Sequence, residues 1–258
     1  MRTLRLATLV AALSLVALAT GGSLATGSTN VLVNGDFETG SMSGWGHAPG
    51  HPLVVLHGWF AYHGTVAPIS GAPVPPPPQG KTAALVDQAG PGGNVLFQTF
   101  RVPTNGQLSM TLWYANYAGV FFTPRMLVPG PAPDQQLRID LTLPNAGLYS
   151  LRPSDIVANV FRTVPGDPLA VAPHTISFNL APWAGRLVRL RIAEVDNQFF
   201  FSAGVDSVQV SGGELWLRCR CGQRAFPRVP CTARRTSTSA SSRQHRQARR
   251  RPPSRRRA

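Results

Sequence analysis

Cysteine is missing from the first 218 residues of this 258-residue chain; Cys219, Cys221 and Cys231 are the only three. The body therefore needs neither disulfides nor a thiolate zinc site, and an odd trio cannot pair fully within one chain, so zinc there would need an outside ligand such as His245. No hydrophobic run after residue 19 reaches the roughly 20 residues of a membrane span. Nucleophile elbows, phosphate-binding loops and dinucleotide fingerprints are absent, and Asp87, Asp140 and Asp196 lack the spacing of a glycosidase pair. These absences argue against an enzyme. Helical patterning is nearly absent too: only Ser154 to Phe161 reads as a helical turn, with Ser154 and Asp155 as capping candidates.

Excess charge is also missing from most of the chain, despite a formal net charge of +14. From Glu214 onward there are 14 arginines and one acid, which leaves 11 basic and 10 acidic residues before it. The body is near neutral and has no electrostatic reason to seek nucleic acid. Residues 212–258, rich in Arg, Ser, Thr, Gln and Pro, cannot bury a core and read as a disordered tail. Its functional reading is a polybasic arm for anionic cell-wall polymers, lipid headgroups or nucleic acid; the abrupt change of composition is better explained by an altered reading frame or an annotation artefact.

At the other end, Arg2 and Arg5, the apolar run Leu6 to Ala19 and the small residues after it have the order of a secretory signal peptide spanning residues 1–27. The expected location is secreted or cell-surface, with no transmembrane segment after cleavage. Between the two ends, residues 28–211 suit one large domain.

Short apolar segments fill that domain: Leu53 to His57, Ala83 to Asp87, Val95 to Val102, Gln107 to Ala115, Leu137 to Leu143, Thr175 to Leu180, Arg186 to Val195 and Gly204 to Val210. Val188, Leu190 and Ile192 alternate with Arg189 and Arg191, and Leu137, Ile139 and Leu141 with Arg138, Asp140 and Thr142. This period of two predicts strands with one wet face. Pro and Gly separate the segments, so the expected class is all-β, an antiparallel sandwich. Two loops stand out. Pro73 to Pro78 must be extended, polyproline-like chain, and Tyr114 to Gln136 is long enough to read as functional.

The stretch NVLVNGDFETGSMSGW, from Asn30 to Trp45, opens with the apolar Val31, Leu32 and Val33, a strand start, followed by a turn at Asn34 and Gly35. In an extended segment Asp36 and Glu38 leave one face while Phe37 enters the other, a geometry that suits a hard cation beside a core. The stretch resembles the opening of galactose-binding-like β-sandwich domains, the jelly-roll group that includes many carbohydrate-binding modules of bacterial secreted enzymes. EVDNQFFFSAGVDSVQV, from Glu194 to Val210, resembles that family's last strand pair. QQLRIDL at Gln135 to Leu141 and PGDPL at Pro165 to Leu169 are similar to a bacterial exported group of this type. The resemblance implies a jelly-roll sandwich over Asn30 to Val210. It also implies a structural Ca²⁺ joining the first and last strands, held by Glu38 and Asp206, with Asp36 and backbone oxygens completing a shell of about 6 to 8 oxygens.

A glycan or cell-surface polymer is the expected partner, with a structural or adhesive surface protein as the alternative. Sugar rings present apolar faces to aromatic rings while their hydroxyls need planar polar groups. The ligand candidates on this chemistry are Trp59, Tyr62, Tyr114, Tyr117 and Phe121 with Asn116, Gln135 and Arg138. Trp113 shares the chemistry, but with Trp45 and Trp183 it reads better as packing. His47, His51, His57 and His63 read as surface or turn residues, because Pro49 and Gly50 forbid the helix that paired zinc histidines require. Oligomeric state is left open by the sequence.

Overall fold

The computed structural model describes residues 30–49, 57–88, 91–122, 127–128 and 130–213. The signal-peptide and tail readings, the three cysteines, His51 and most of the expected strand Leu53 to His57 lie outside the described residues. Ten strands, β1 (Gly46–Pro49), β2 (His57–Tyr62), β3 (Ala83–Gln88), β4 (Gly92–Arg101), β5 (Thr104–Asn116), β6 (Gln135–Thr142), β7 (Ile156–Arg162), β8 (Ala170–Asn179), β9 (Leu187–Asp196) and β10 (Phe201–Gly213), form two antiparallel sheets. Sheet A runs β1-β4-β9-β6-β7 and sheet B runs β2-β3-β10-β5-β8. The chain crosses repeatedly between sheets, as in a jelly roll.

The core follows from the alternation. Leu137, Ile139 and Leu141 of β6 and Val188, Leu190 and Ile192 of β9 meet Leu108, Met110 and Leu112 of β5 and Ala203 and Val205 of β10 between the sheets. Each of these side chains is buried, and burying one such aliphatic group stabilises by about 1.5–3 kcal/mol.

Three expectations are corrected. The opening Val31 to Val33 is not a strand: residues 31–45 make a run of turns, with positive φ at Asn34 (51°) and Phe37 (56°). Phe37 is nevertheless fully buried and Asp36 and Glu38 point outward, so the expected faces hold, set by left-handed turn geometry instead of extension. Ser154 to Phe161 is not a helical turn either. Ile156, Val157 and Val160 are β-branched and enter strand β7, while Ser150 Oγ donates to Asp155 Oδ2 at 2.5 Å in the preceding turn.

The third correction concerns the wet faces of β6 and β9. Arg191 is fully buried and Arg138 nearly so, because residues 143–155 lie over this side of sheet A. Asp140 takes a bidentate bond from Arg138 (2.8 Å to each oxygen) and a third from Arg191 at 2.6 Å. Arg191 also donates to the carbonyls of Leu148 and Ser150, and Arg189 to those of Pro144 and Ala146. The alternation thus marks a polar interior layer. Charge this deep is stable only when paired, and the two Arg–Asp pairs supply that.

Candidate functional site

Two regions of the fold gather the candidate side chains, one where residues 30–38 meet β10 and one on the outer face of sheet B. At the first, Val31 N donates to Val210 O (2.9 Å), Val210 N to Asn30 Oδ1 (2.8 Å), Asn30 Nδ2 to Val208 O (2.8 Å) and Val208 N to Gly35 O (2.7 Å). The opening turns are thereby zipped to β10. A bulge between Asp206 and Gln209, with Ser207 at φ 51°, sends Asp206 outward while Val205 and Val208 both face the core.

Asp206 is fully buried there, accepting from Gln79 N (2.9 Å) and Ser207 N (2.6 Å). Glu38 Oε1 accepts from Lys81 N (2.8 Å) and Thr82 N (2.9 Å), which hold its carboxyl below the usual carboxylate range. Gly80, between these donors, has φ +61°, and a Cβ on it would lie 2.3 Å from the Glu38 carboxyl. Only glycine admits this approach. Burial, reinforced by the charges of Glu38 and Asp36, pushes the Asp206 carboxyl up to about 6.

The expected metal residues are therefore brought together electrostatically. Among the described residues, however, no group of three or more His, Cys, Asp or Glu side chains is placed to hold a metal by itself. The ion pairs found among those residues involve Asp140 and not this acidic trio. A hard cation fits if backbone carbonyls supply part of its shell, since each carboxylate retains lone pairs beyond those its amide donors use.

The second region begins with a strap. After β2, Val66 and Pro73 form an isolated bridge, Val74 N bonds Thr65 O, and Tyr62 OH donates to Pro75 O at 2.7 Å. Ala67 and Val74 thereby pack on Leu85 and Trp113 against the outer side of sheet B. Asp87 pins the strap by accepting from Ile69 N (2.6 Å) and Ser70 N (2.9 Å). The polyproline segment is thus a cover, and the outer face of sheet B around Leu85 and Trp113 is filled by its own chain.

The uncovered part holds two adjoining hollows. One, about 230 Å³, has Pro73 and Pro75 on one wall, Ala170 to Ala172 on the other, and Trp113, Ala115, Tyr117 and Ser202 beneath. The next, about 110 Å³, adds Ser70, Ala72, Phe199 and Phe200, with Tyr117 and Ser202 common to both. Enclosed small-molecule sites hold about 300–1,000 Å³, so these shallower hollows suit a ligand lying across the surface. Tyr117 is 45% exposed, Phe199 57% and Phe200 38%, while the Ser202 hydroxyl is buried without a hydrogen-bond partner.

Of the ligand candidates, Tyr117 alone presents an exposed ring. Trp59, Tyr114 and Phe121 lie in the inter-sheet core, Tyr114 also touching the larger hollow, and Tyr62 is buried under the strap. Asn116 and Gln135 are buried and act as positioners. Asn116 Nδ2 donates to Val120 O (2.6 Å), and Gln135 Nε2 to Phe199 O (2.8 Å) and Asn116 Oδ1 (3.2 Å). With Tyr117 N bonded to Phe200 O (3.0 Å), they fix the loops bearing Tyr117, Phe199 and Phe200. Arg138 lies on the opposite sheet, paired with Asp140. For these buried side chains the physical reason is shared: their polar atoms or rings are used within the fold. Phe199 and Phe200 stand outside the sequence-based ligand candidates; their adjacency in a polar loop, NQFFF, is the available signal. His47 and His63 are exposed, as expected.

No family model matches the chain, and a search of the curated proteins returned no match. Solved structures similar to it include TmCBM61 in complex with β-1,4-galactotriose, at 13% identity over 71% of this chain and 98% of that one, with a TM-score of 0.42. The K3 cleaved adhesin domain of Lys-gingipain from Porphyromonas gingivalis is similar at 14% identity over 72% and 100%, TM-score 0.45. The Stig cyclase Fisc from Fischerella sp. TAU is similar at 16% identity over 71% and 97%, TM-score 0.43.

Proposed function

We propose that this β-sandwich is an exported, non-catalytic binding module for a glycan, with a structural Ca²⁺ at the closure of its two ends. The observation that carries the reading is the exposed Tyr117 ring on the rim shared by two shallow hollows, beside Phe199 and Phe200. Such rings offer the flat apolar area on which a sugar face stacks, and the held loops keep the ordering cost low. A non-catalytic role is supported by Asp87, the carboxylate lining the smaller hollow, whose oxygen is committed to the Ile69 and Ser70 amides. Glycan-array binding by the secreted protein, abolished in Tyr117→Ala and retained in Tyr114→Phe, is the expected result. Silence across a broad array would count against the reading.

For the calcium, the converging Asp36, Glu38 and Asp206 are the support, and the two strongest contributors are Glu38 and Asp206. The ion would supply positive charge and a rigid link between turns 34–40 and β10, with no chemical step of its own.

A second reading, adhesion to a protein, is favoured by one observation: Val120 and Leu169, each 44% exposed, extend the apolar area beyond Tyr117. Exposed aliphatics add little to sugar stacking. The double variant Val120→Asp/Leu169→Asp separates the two readings, since it should leave glycan binding intact and abolish protein adhesion.

A further inference from the structure

Below the hollows, the outer face of sheet B has an unusual composition. On β5, Leu108, Met110 and Leu112 face the core, so Gln107, Ser109 and Thr111 face out. On β8, Ile176 and Phe178 pack toward the core, leaving Thr175, Ser177 and Asn179 exposed. Past the bulge of β10, Val208 and Val210 turn in, so Gln209 and Ser211 turn out. The strand registers align these side chains in rows. Ser211, Gln107 and Asn179 form one; Gln209, Ser109 and Ser177 the next; Thr111 and Thr175 a third, with hydroxyl oxygens 3.3 Å apart, and on β10 this third row ends at Asp206, buried beneath Gln79.

Apart from the buried Asp206, each of these side chains is a hydroxyl or an amide, and none is charged or large and apolar. Neighbours along a row are about 4.8 Å apart and rows about 6.7 Å apart, the spacings of strands and of every second residue. Between these rows and the hollow, β5 carries Trp113 packed beneath the strap, and the hollow opens beyond it at Ala115 of β5 and Ala172 of β8. From Gln107 to Ala115 β5 spans about 27 Å, far longer than one sugar ring. β8 is moreover an edge strand, where Lys or Glu ordinarily discourages self-association. From Ala170 to Asn179 it carries neither, and Pro173 is its one edge-blunting residue.

We infer that this hydroxyl and amide grid is a second contact surface for an extended, uncharged polysaccharide whose chain also crosses the Tyr117 hollow. The inference rests on the glycan-binding reading and narrows it to a substrate class. Hydroxyl and amide groups both donate and accept, which matches a ligand whose own groups are hydroxyls. An anionic polymer would need Arg or Lys opposite its charges, and the grid has neither. A protein partner would need an apolar centre, and the grid lacks that also.

The test compares short and long probes on two variants of the full chain. Soluble β-1,4-galactan and galactotriose serve as neutral probes, and polygalacturonate as the anionic one. Ser177→Arg places a bulky charge in the middle of the grid at an exposed edge position, and Tyr117→Ala removes the ring at the hollow. The wild type should bind the polymer more tightly than the trisaccharide. Ser177→Arg should weaken the polymer by about tenfold or more, the loss of a few net hydrogen bonds, and leave the trisaccharide unchanged. Tyr117→Ala should weaken both.

Equal affinity for polymer and trisaccharide, with Ser177→Arg neutral on both, would overturn the grid and leave the hollow as the glycan site. Tighter binding of polygalacturonate would overturn the uncharged class. A dimer in light scattering that Ser177→Arg abolishes would assign the face to a second copy and likewise overturn the inference. Binding of no saccharide at all would remove the glycan reading together with it.

Discussion

Asp134 shows how one residue can report on the whole fold. Its carboxyl is 5% exposed, Oδ1 has no hydrogen-bond partner, and burial pushes it up to about 7 against the pull of Arg138. The folded state therefore holds this proton more tightly than the unfolded chain does. Between pH of about 4 and 7 the native state binds more protons, so this group's contribution makes stability fall as pH rises through that window. Asp206, pushed up to about 6, acts with the same sign over a narrower range. Asp140, held below its usual range by its two arginines even though burial opposes this, acts oppositely and loses its contribution in acid. We expect Asp134→Asn to raise the melting temperature at pH 8 by a few degrees, on the order of 2–4 °C for each kcal/mol, and to flatten the fall between pH 5 and 7. Thermal unfolding across that range checks both.

Gly80 is a second residue-scale case. An alanine there meets the Glu38 carboxyl at 2.3 Å in a backbone with φ +61°. Gly80→Ala should break the Lys81 and Thr82 amide bonds to Glu38 and destabilise by about 1–3 kcal/mol, as overpacking does. Urea unfolding measures it, and a neutral result would mean that the turn relaxes freely.

Among the elements, β6 and β9 teach most about reading alternation. Their inward aliphatics were legible because one buried face imposes a period of two. Their outward faces were not, because Arg and Asp look alike in sequence whether solvated or paired beneath a segment, residues 143–155, that arrives from elsewhere in the chain. Arg191→Leu should cost about 3–5 kcal/mol, since it leaves the buried Asp140 with one of its two arginines and the neutral Asn159 amide. It should also raise amide exchange in residues 143–151, whose Leu148 and Ser150 carbonyls lose their donor. The candidate ligand aromatics divide on the same ground. Tyr114 and Tyr117 are near neighbours of one type, yet one lies in the core and the other on the rim, because β5 ends between them at Asn116.

For the whole molecule, the closure of the two ends is the feature most open to experiment. Asp206 and Glu38 both grip the segment Gln79 to Thr82, and that segment continues the strap that walls the hollow. Millimolar Ca²⁺ should raise the melting temperature and EDTA lower it, with both effects lost in Glu38→Gln/Asp206→Asn. Calcium affinity should weaken below a pH of about 6, where Asp206 takes up a proton. An unchanged melting temperature with Ca²⁺ and with EDTA would leave the closure to hydrogen bonds alone.

By itself the sequence determined the all-β class, most of the central strands and the two terminal motifs, because local periodicity and turn chemistry act over a few neighbouring residues. It also marked Asp36, Glu38 and Asp206, although their proximity in space depended on the zipper between residues 30–35 and β10. Only the tertiary structure decided which aromatics face solvent, that the polyproline strap covers part of a sheet, and that hydroxyls from β5, β8 and β10 share one face. Those facts depend on pairings between residues far apart in the chain. No local pattern records which distant segment will lie above a given side chain.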